Sequence, residues 1–341
     1  MIKALVGIGD IHLRKKDFFE VGIEKFEKWF DETFPNEAKE NTEIILAGDI
    51  FDKIALLPSV AAEAVKLSNL FFKKAKRVYA ILGNHDYGLH RYRVENSKKL
   101  LDELGFTVID NLTTLTTENG FRVLCLPWVY NTSLSKVNEF IKQNENEAFD
   151  AVCAHWELEP LFGDEFMDLS NVKTNSYMIG HIHSHNSNPK YLGSVLPNSV
   201  AEGKELDNSV IKMLCKDFDQ NKLKEREVPI PSFVSISEVV IQSLEDLSGL
   251  QKDSSTFYKI FHPATITEKS VKTQAELLGL NIYSLEKIHE EGSEELTSEV
   301  EIKEYTKTGP EDLIGLYAEA LNITEEEKVA CLQVIRSSRA A

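Results

Sequence analysis

The chain reads as an α/β protein: a two-sheet β-sandwich flanked by helices, with a small α/β cap domain and a C-terminal helical tail. Three observations predict this. Short apolar runs alternate with amphipathic segments through the first 231 residues. Helical spacing dominates the first half of that stretch, and strands with short connections dominate the second. After Pro229-Ile230-Pro231 the alternation restarts on a smaller scale.

Strand-like runs cover 3–8, 44–47, 78–82, 123–126, 151–154, 177–179, 191–196 and 210–215. Between them Ile23, Phe26, Phe30 and Phe34 recur at helical spacing, as do Val60, Ala64, Leu67 and Phe71. Leu134, Val137 and Ile141 mark a third helix. In the cap, 257–261 and 281–285 read as strands around a helix over 270–278. An acidic stretch, 290–304, follows as a solvated linker or helix face. Pro310 suits a first helical position. Leu313, Ile314, Tyr317 and Leu321 then form one stripe. Thr324-Glu325-Glu326-Glu327 has capping-box spacing and opens a second helix carrying Val329, Leu332 and Ile335. These helices either pack on their own domain or dock onto a partner's helices. The expected division is 1–231 for the catalytic body, 232–300 for the cap and 301–341 for the tail.

No apolar run approaches the ~18 residues of a membrane span, and the start reads as a strand. Cys125, Cys153, Cys215 and Cys331 form no CxxC pair, so reduced thiols and a cytoplasmic home are expected. The net charge is −17, with 10 basic and 20 acidic side chains in residues 232–341. So acidic a chain binds a polyanion weakly by itself, because affinity for phosphate backbones rests on Lys and Arg.

Polar residues gather where the apolar runs end. Asp10-x-His12 follows the first run, Asp49 the second, Asn84-His85-Asp86 the third, His155 a later one and His181-x-His183 another. An i, i+2 pair shares one face of an extended chain, so both members can approach one ion. Asp49 offers two oxygens and can bridge. Sorted into two sites, the donors give Asp10, His12, Asp49 and His183, then Asp49, Asn84, His155 and His181. Mixed N/O sets suit Mn, Fe or Zn, and the absence of thiolates argues against a structural zinc cage. His85 is free to face a phosphate and protonate the leaving group, with Asp86 orienting its ring. Asp52 is expected to support the phosphate or the ligands. His90, His185, His262 and His289 read as ordinary surface residues.

The ordered set Gly9-Asp10-Ile11-His12, Gly48-Asp49-Ile50-Phe51-Asp52, Gly83-Asn84-His85-Asp86, His155 and Gly180-His181-Ile182-His183 resembles the calcineurin-like metallophosphoesterases. Within them it is most similar to the SbcD-type nuclease subunits of double-strand-break repair, including the recombination endonuclease subunits of large phages. That narrower resemblance rests on Gly-Asp-Ile-Phe-Asp, on Pro127-Trp128, on His155-Trp156-Glu157-Leu158 and on the layout of cap plus tail. It implies manganese-dependent cleavage of DNA, exonucleolytic on duplex ends and endonucleolytic on single strands or hairpins. It also implies an SbcC-like ABC-type ATPase with a long coiled coil, gripped by the C-terminal helices, and a homodimer formed through the nuclease body. Such a partner supplies the DNA affinity that the acidic chain lacks.

Two basic groups depart from the family pattern. Arg14-Lys15-Lys16 follows the first ligand pair, and Arg91 and Arg93 follow the Gly-Asn-His-Asp loop; both could hold DNA phosphates or be solvated loops. Asp52 stands where some relatives carry His. The alternatives are a small-molecule phosphodiesterase or phosphatase with the same metals, and a scaffold without activity. Asp52 is not followed by Arg-Gly, which weighs against a phosphatase, and the full ligand set weighs against a scaffold.

Overall fold

The computed structural model describes residues 2–288 except 15–16, 35, 53–57, 88–90, 130–131, 161–165, 200–201, 203–207 and 221. The tail stripe of Leu313, Ile314, Tyr317, Leu321, Val329, Leu332 and Ile335 therefore lies outside the described residues, as does the whole segment 301–341.

The chain enters as strand β1 (Ile2–Ile8), helix α1 (Asp17–Thr33), β2 (Thr42–Ala47), α2 (Pro58–Lys74) and β3 (Arg77–Ile81). A single turn α3 (Asn84–Tyr87), α4 (Arg91–Glu103) and β4 (Thr107–Ile109) follow. Next come β5 (Thr113–Thr116), β6 (Arg122–Leu126), α5 (Leu134–Gln143), β7 (Ala148–Phe149), β8 (Ala151–Ala154), β9 (Lys173–Thr174) and β10 (Tyr177–Ile179). Strands β11 (Val210–Asp217) and β12 (Lys222–Pro229) form a hairpin-like antiparallel pair. Last are β13 (Ser235–Val240), β14 (Thr256–Pro263), α6 (Glu268–Leu278) and β15 (Asn281–Ile288).

These strands build one six-stranded sheet, β12-β11-β1-β2-β3-β4, and one four-stranded sheet, β10-β8-β6-β5. Alternation along each strand shows how they stack. In β2, Ile45 and Ala47 face a core shared with Val123, Cys125, Ala151 and Cys153 of the second sheet. Ile44 and Leu46 face a core under α1 and α2 instead. On the second sheet Leu124, Leu126, Val152 and Ala154 turn outward against Val137 and Ile141 of α5. The result is four layers, helix–sheet–sheet–helix, as the sequence predicted. Burial on both faces is why these strands read as continuous apolar runs.

Helix α1 is fixed by Phe19, Ile23, Phe26 and Phe30, all at most 1% exposed, which recur every three or four residues. Phe30 stacks on Phe34 at 4.5 Å and meets Phe71 of α2 at 5.5 Å, closing the layer over the first sheet. Cys125 and Cys153 are opposite one another on β6 and β8, free and fully buried. Burial pushes the Cys125 thiol up to about 12, so it packs as a small hydrophobe.

The small sheet, β13-β14-β15, is parallel and carries α6 on one face. Thr267 caps α6 by accepting from Ser270 N, and Gly279 ends it in the left-handed conformation at φ 68°. Phe18 of α1 joins this sheet to the body, meeting Phe257 at 6.0 Å and Tyr283 at 5.2 Å. Residues Met1–Ile288 accordingly form one compact unit.

Three expectations need correction. The run 191–196 makes a single bridge, Tyr191 to Ile179, and is otherwise irregular. Its N–H groups go to the loops around the site: Leu192 N to Ile179 O, Ser194 N to His183 O and Val195 N to Asp10 O. Strand β12 went unseen because its charged residues are mostly exposed and show no apolar signal. His262 is fully buried on the central strand β14, and His185 is half-buried with Nδ1 2.6 Å from Tyr191 O; neither is a surface residue. Among the described residues no helix is long and apolar enough to cross a membrane.

Candidate metal centre

Five loops carry the polar constellation, each leaving the C-terminal end of a strand. Asp10 and His12 follow β1, Asp49 and Asp52 follow β2, Asn84 to Asp86 follow β3, His155 follows β8, and His181 and His183 follow β10. Because β1, β2 and β3 run parallel, as do β8 and β10, these ends gather on one side.

The structure brings all seven expected ligands together, in two groups. In the first, His12 Nε2 lies 3.0 Å from His183 Nε2, 3.6 Å from Asp49 Oδ2 and 4.0 Å from Asp10 Oδ1. In the second, Asn84 Oδ1 lies 3.0 Å from His155 Nε2 and 3.1 Å from His181 Nδ1. Asp49 Oδ2 is also 3.2 Å from His155 Nε2, so one oxygen belongs to both groups.

The residues fit divalent cations on the chemistry of their atoms. His155 Nδ1 donates to Ala47 O at 2.7 Å, which leaves Nε2 of the neutral ring as an acceptor. His181 Nε2 lies 3.1 Å from Glu157 Oε1, which leaves Nδ1 as an acceptor. Carboxylate, amide and imidazole lone pairs thus converge with little between them to donate. A pair of divalent cations held there would satisfy them.

Electrostatics say the same. Burial raises the pKa of Asp10 against the pull of His155 and His183. Burial would also raise Asp49, but the His155 charge and hydrogen bond beside it hold its carboxyl well below the usual range. His12 is driven well below the usual imidazole value, first by burial and then by His183 and His85, which suits a neutral ligand. Burial works to lower His155, yet adjacent Asp49 raises it. A proton and a divalent ion compete for that one nitrogen.

The backbone is bent to make this possible. His12, Asp49 and His181 are the non-glycine residues with positive φ among the described residues, at 52°, 47° and 83°. Each costs on the order of 1–2 kcal/mol for an L-residue, and such strain concentrates at functional sites. Gly83 allows the closest approach of the loops: a Cβ there would stand 2.1 Å from Asp49 Oδ1 and 2.4 Å from Asp49 N. Gly83→Ala is expected to lower stability by about 1–3 kcal/mol and to weaken metal binding. Urea denaturation and a Mn²⁺ titration check this; unchanged values in both would mean the loop yields freely.

The family pattern described as Calcineurin-like phosphoesterase matches residues 4–185, more than half of the chain. The chain belongs to the calcineurin-like phosphoesterase family. All seven converging residues lie inside the match. The chain is also 27% identical over 142 residues to the uncharacterized metallophosphoesterase YkoQ of Bacillus subtilis (strain 168). That similarity covers 41% of this chain and 49% of YkoQ, so the chain spans about half the length of the curated relative it matches. Calcineurin-like phosphoesterases use divalent metals, and three residue groups among the described residues could hold one: Asp10-His12-His183, Asp10-Asp49-His155 and His12-Asp52-His85.

Beside the ligands the geometry redistributes two expected roles. His85 is half-buried, with 36% of its side chain accessible, and its backbone N donates to Asp49 Oδ1 at 2.8 Å. Its Nδ1 lies 2.6 Å from the carbonyl oxygen of Asp52. Asp86, expected to orient that ring, instead accepts from Phe51 N at 2.9 Å and Gly83 N at 2.8 Å, tying the loops after β2 and β3 together. Burial, then the charge of Asp49, pushes Asp86 up to about 7. Asp52 therefore orients His85 through its backbone, and its carboxylate sits 3.6 Å from His85 Nδ1 and 3.8 Å from His12 Nδ1.

Arg14 does not reach outward to a phosphate. Its side chain is only 9% exposed, donates to Pro197 O at 3.0 Å, lies over the rings of Phe18 and Phe19, and stands 4.0 Å from Asp52 Oδ2. Two phenylalanine faces and a carbonyl hold the guanidinium inside, where it faces Asp52. Lys15 and Lys16 lie outside the described residues. Arg91 and Arg93 open α4, and their side chains are likewise outside the description.

Glu157 and Glu202 are the residues that sequence reasoning missed. Glu202 Oε1 lies 3.3 Å from His183 Nδ1, while Ser199 donates to Glu202 Oε1 and Asn198 N to Oε2. Ser199-x-x-Glu202 has the spacing of a capping box, and His155-x-Glu157 has the i, i+2 spacing of the ligand pairs. Those signals were available.

Proposed function

We propose that this chain is a metal-dependent phosphodiesterase whose substrate is DNA. The single observation that carries the hydrolytic reading is the sharing of Asp49 Oδ2 between two convergent ligand groups, with the half-buried His85 beside them. Asp10, His12, Asp49 and His183 would hold one divalent ion; Asp49, Asn84, His155 and His181 would hold the other. When bound, a pair of such ions lowers the pKa of water and polarises the phosphoryl group.

The chain's own residues do the rest. With Nδ1–H engaged by Asp52 O, the imidazolium form of His85 would deliver its Nε2 proton to the leaving oxygen and be left neutral, still protonated on Nδ1. The His85 N–H bond to Asp49 Oδ1 fixes the distance between this acid and the shared carboxylate. Asp52 and Arg14 hold the arrangement from behind.

DNA is supported by the similarity of the motifs and layout to SbcD-type nucleases. The reading extends to Mn²⁺ as the native ion, to exonuclease action on duplex ends, and to endonuclease action on single-stranded or hairpin DNA. It includes a homodimer and a coiled-coil ABC-type ATPase that supplies basic surface. A second reading, a small-molecule phosphodiesterase, draws on the net charge of −17, which disfavours a free-standing DNA-binding protein.

End-labelled linear duplex DNA, incubated with Mn²⁺, Mg²⁺ or EDTA and with or without the ATPase, separates the two. Manganese-dependent shortening is expected. Intact DNA in every arm, alongside brisk hydrolysis of bis(p-nitrophenyl) phosphate, would transfer the assignment to small substrates.

A further inference from the structure

We propose that Glu157 and Glu202 are positioning residues that set the two histidines of His181-x-His183 in opposite tautomers, so that His181 offers Nδ1 and His183 offers Nε2. The proposal rests on the metal-dependent reading above and names the residues that decide which ring nitrogen faces each ligand group. The two rings follow one strand two residues apart, yet they present different nitrogens to the centre. His181 points Nδ1 at Asn84 Oδ1, 3.1 Å away, and His183 points Nε2 at His12 Nε2, 3.0 Å away. A neutral imidazole carries its single proton on one nitrogen and a lone pair on the other, so something must choose.

Each carboxylate lies on the far nitrogen of its ring. Glu157 Oε1 is 3.1 Å from His181 Nε2, and Glu202 Oε1 is 3.3 Å from His183 Nδ1. An anion there attracts N–H and repels a lone pair, which places the proton on the outer nitrogen and the lone pair inward. The backbone that carries Glu157 is fixed: Met167 N donates to Glu157 O at 2.8 Å, and Tyr191 OH accepts from Leu158 N at 2.7 Å. Asn198 N and the Ser199 hydroxyl bind the Glu202 carboxylate.

One contact competes. The Asn198 amide nitrogen stands 3.2 Å from His183 Nδ1, where a donor would favour the other tautomer. Its own Oδ1 is buried without a partner, and a half-turn of the amide brings that oxygen to the ring at the cost of the Nδ2 contact to Ser194 Oγ at 3.2 Å. With the charge of Glu202 beside it, the N–H on Nδ1 is the better-satisfied state.

Long-range ¹H–¹⁵N correlation on ¹⁵N-histidine-labelled full-length protein reads the tautomers directly, at a pH where the rings are neutral and without metal. His181 is expected protonated on Nε2 and His183 on Nδ1, with histidine substitutions giving the assignments. Both rings in one tautomer would overturn the proposal. Mn²⁺ titrations of folded variants give the second readout. Glu157→Leu and Glu202→Leu are each expected to weaken one binding step by about 10–100-fold and spare the other. Glu157→Gln and Glu202→Gln, which keep an acceptor oxygen at the same reach, should recover most of that loss. Leu variants with wild-type affinity in both steps would also sink it. Failure of the wild type to bind metal would instead refute the hydrolase reading and leave the metal-free tautomers as the measure of positioning.

Discussion

Asp49→Ala is expected to abolish phosphodiester hydrolysis while leaving the fold intact. Asp49 Oδ2 reaches both ligand groups, so its removal takes a donor from each. The lost nucleophile generation and charge stabilisation, several kcal/mol together, correspond to a fall of about 10⁴-fold or more. The backbone carbonyl of Asp49, which accepts from Ile11 N and His12 N, survives the change. Its φ of 47° suits Asp or Asn better than Ala, so Asp49→Asn is the gentler companion. Elemental analysis of dialysed protein should show metal content falling from two ions per chain, with circular dichroism unchanged. Near-wild-type turnover in both variants would end the shared-carboxylate model.

His85→Ala is expected to retain both metals and lose turnover in a way that depends on the leaving group. The His85 ring lies edge-on to that of His12, with centroids 4.8 Å apart, and stands outside the two four-residue sets, while its backbone N anchors Asp49 and remains in the variant. General-acid catalysis contributes on the order of 10²–10⁴-fold when the leaving oxygen needs a proton. The loss should therefore be that large on DNA or an alkyl phosphodiester. With bis(p-nitrophenyl) phosphate, whose leaving group departs as an anion, it should nearly vanish. Equal losses on both substrates would remove His85 from proton delivery, and a fall in metal content would make it a structural support for the ligands.

Much of the centre was legible because the chemistry coincides with strand ends. A run such as Ile44 to Ala47, buried on both faces, stops at Gly48-Asp49, and that abrupt change marks a carboxylate delivered by a strand. The same signal located Asp10, Asn84 and His181. What stayed hidden depends on direction rather than identity. Asp86 and His85 are neighbours in sequence, yet α3 sends the carboxylate back to Phe51 N and Gly83 N while the imidazole faces Asp52. Arg14 looked like a phosphate contact because it is basic and close to His12, but Phe18 and Phe19 turn it inward. Glu202 lies 19 residues beyond His183, and no local periodicity connects them. Run 191–196 was apolar enough for a strand, although its hydrogen bonds serve the ligand loops.

The joint at Phe18 has a mechanical consequence. Its ring bears on Phe257 and Tyr283 of the small sheet on one side and on the Arg14 guanidinium, 5.2 Å away, on the other. Arg14 leans on Asp52, whose carbonyl steers His85. The metal ligands hang from the strand ends of the two larger sheets, and the linkage meets them where the Asp52 carboxylate stands 3.8 Å from His12 Nδ1 and where His85 N donates to Asp49 Oδ1. The small sheet and the support of His85 thus share one pin, the Phe18 ring, so neither is packed independently of the other.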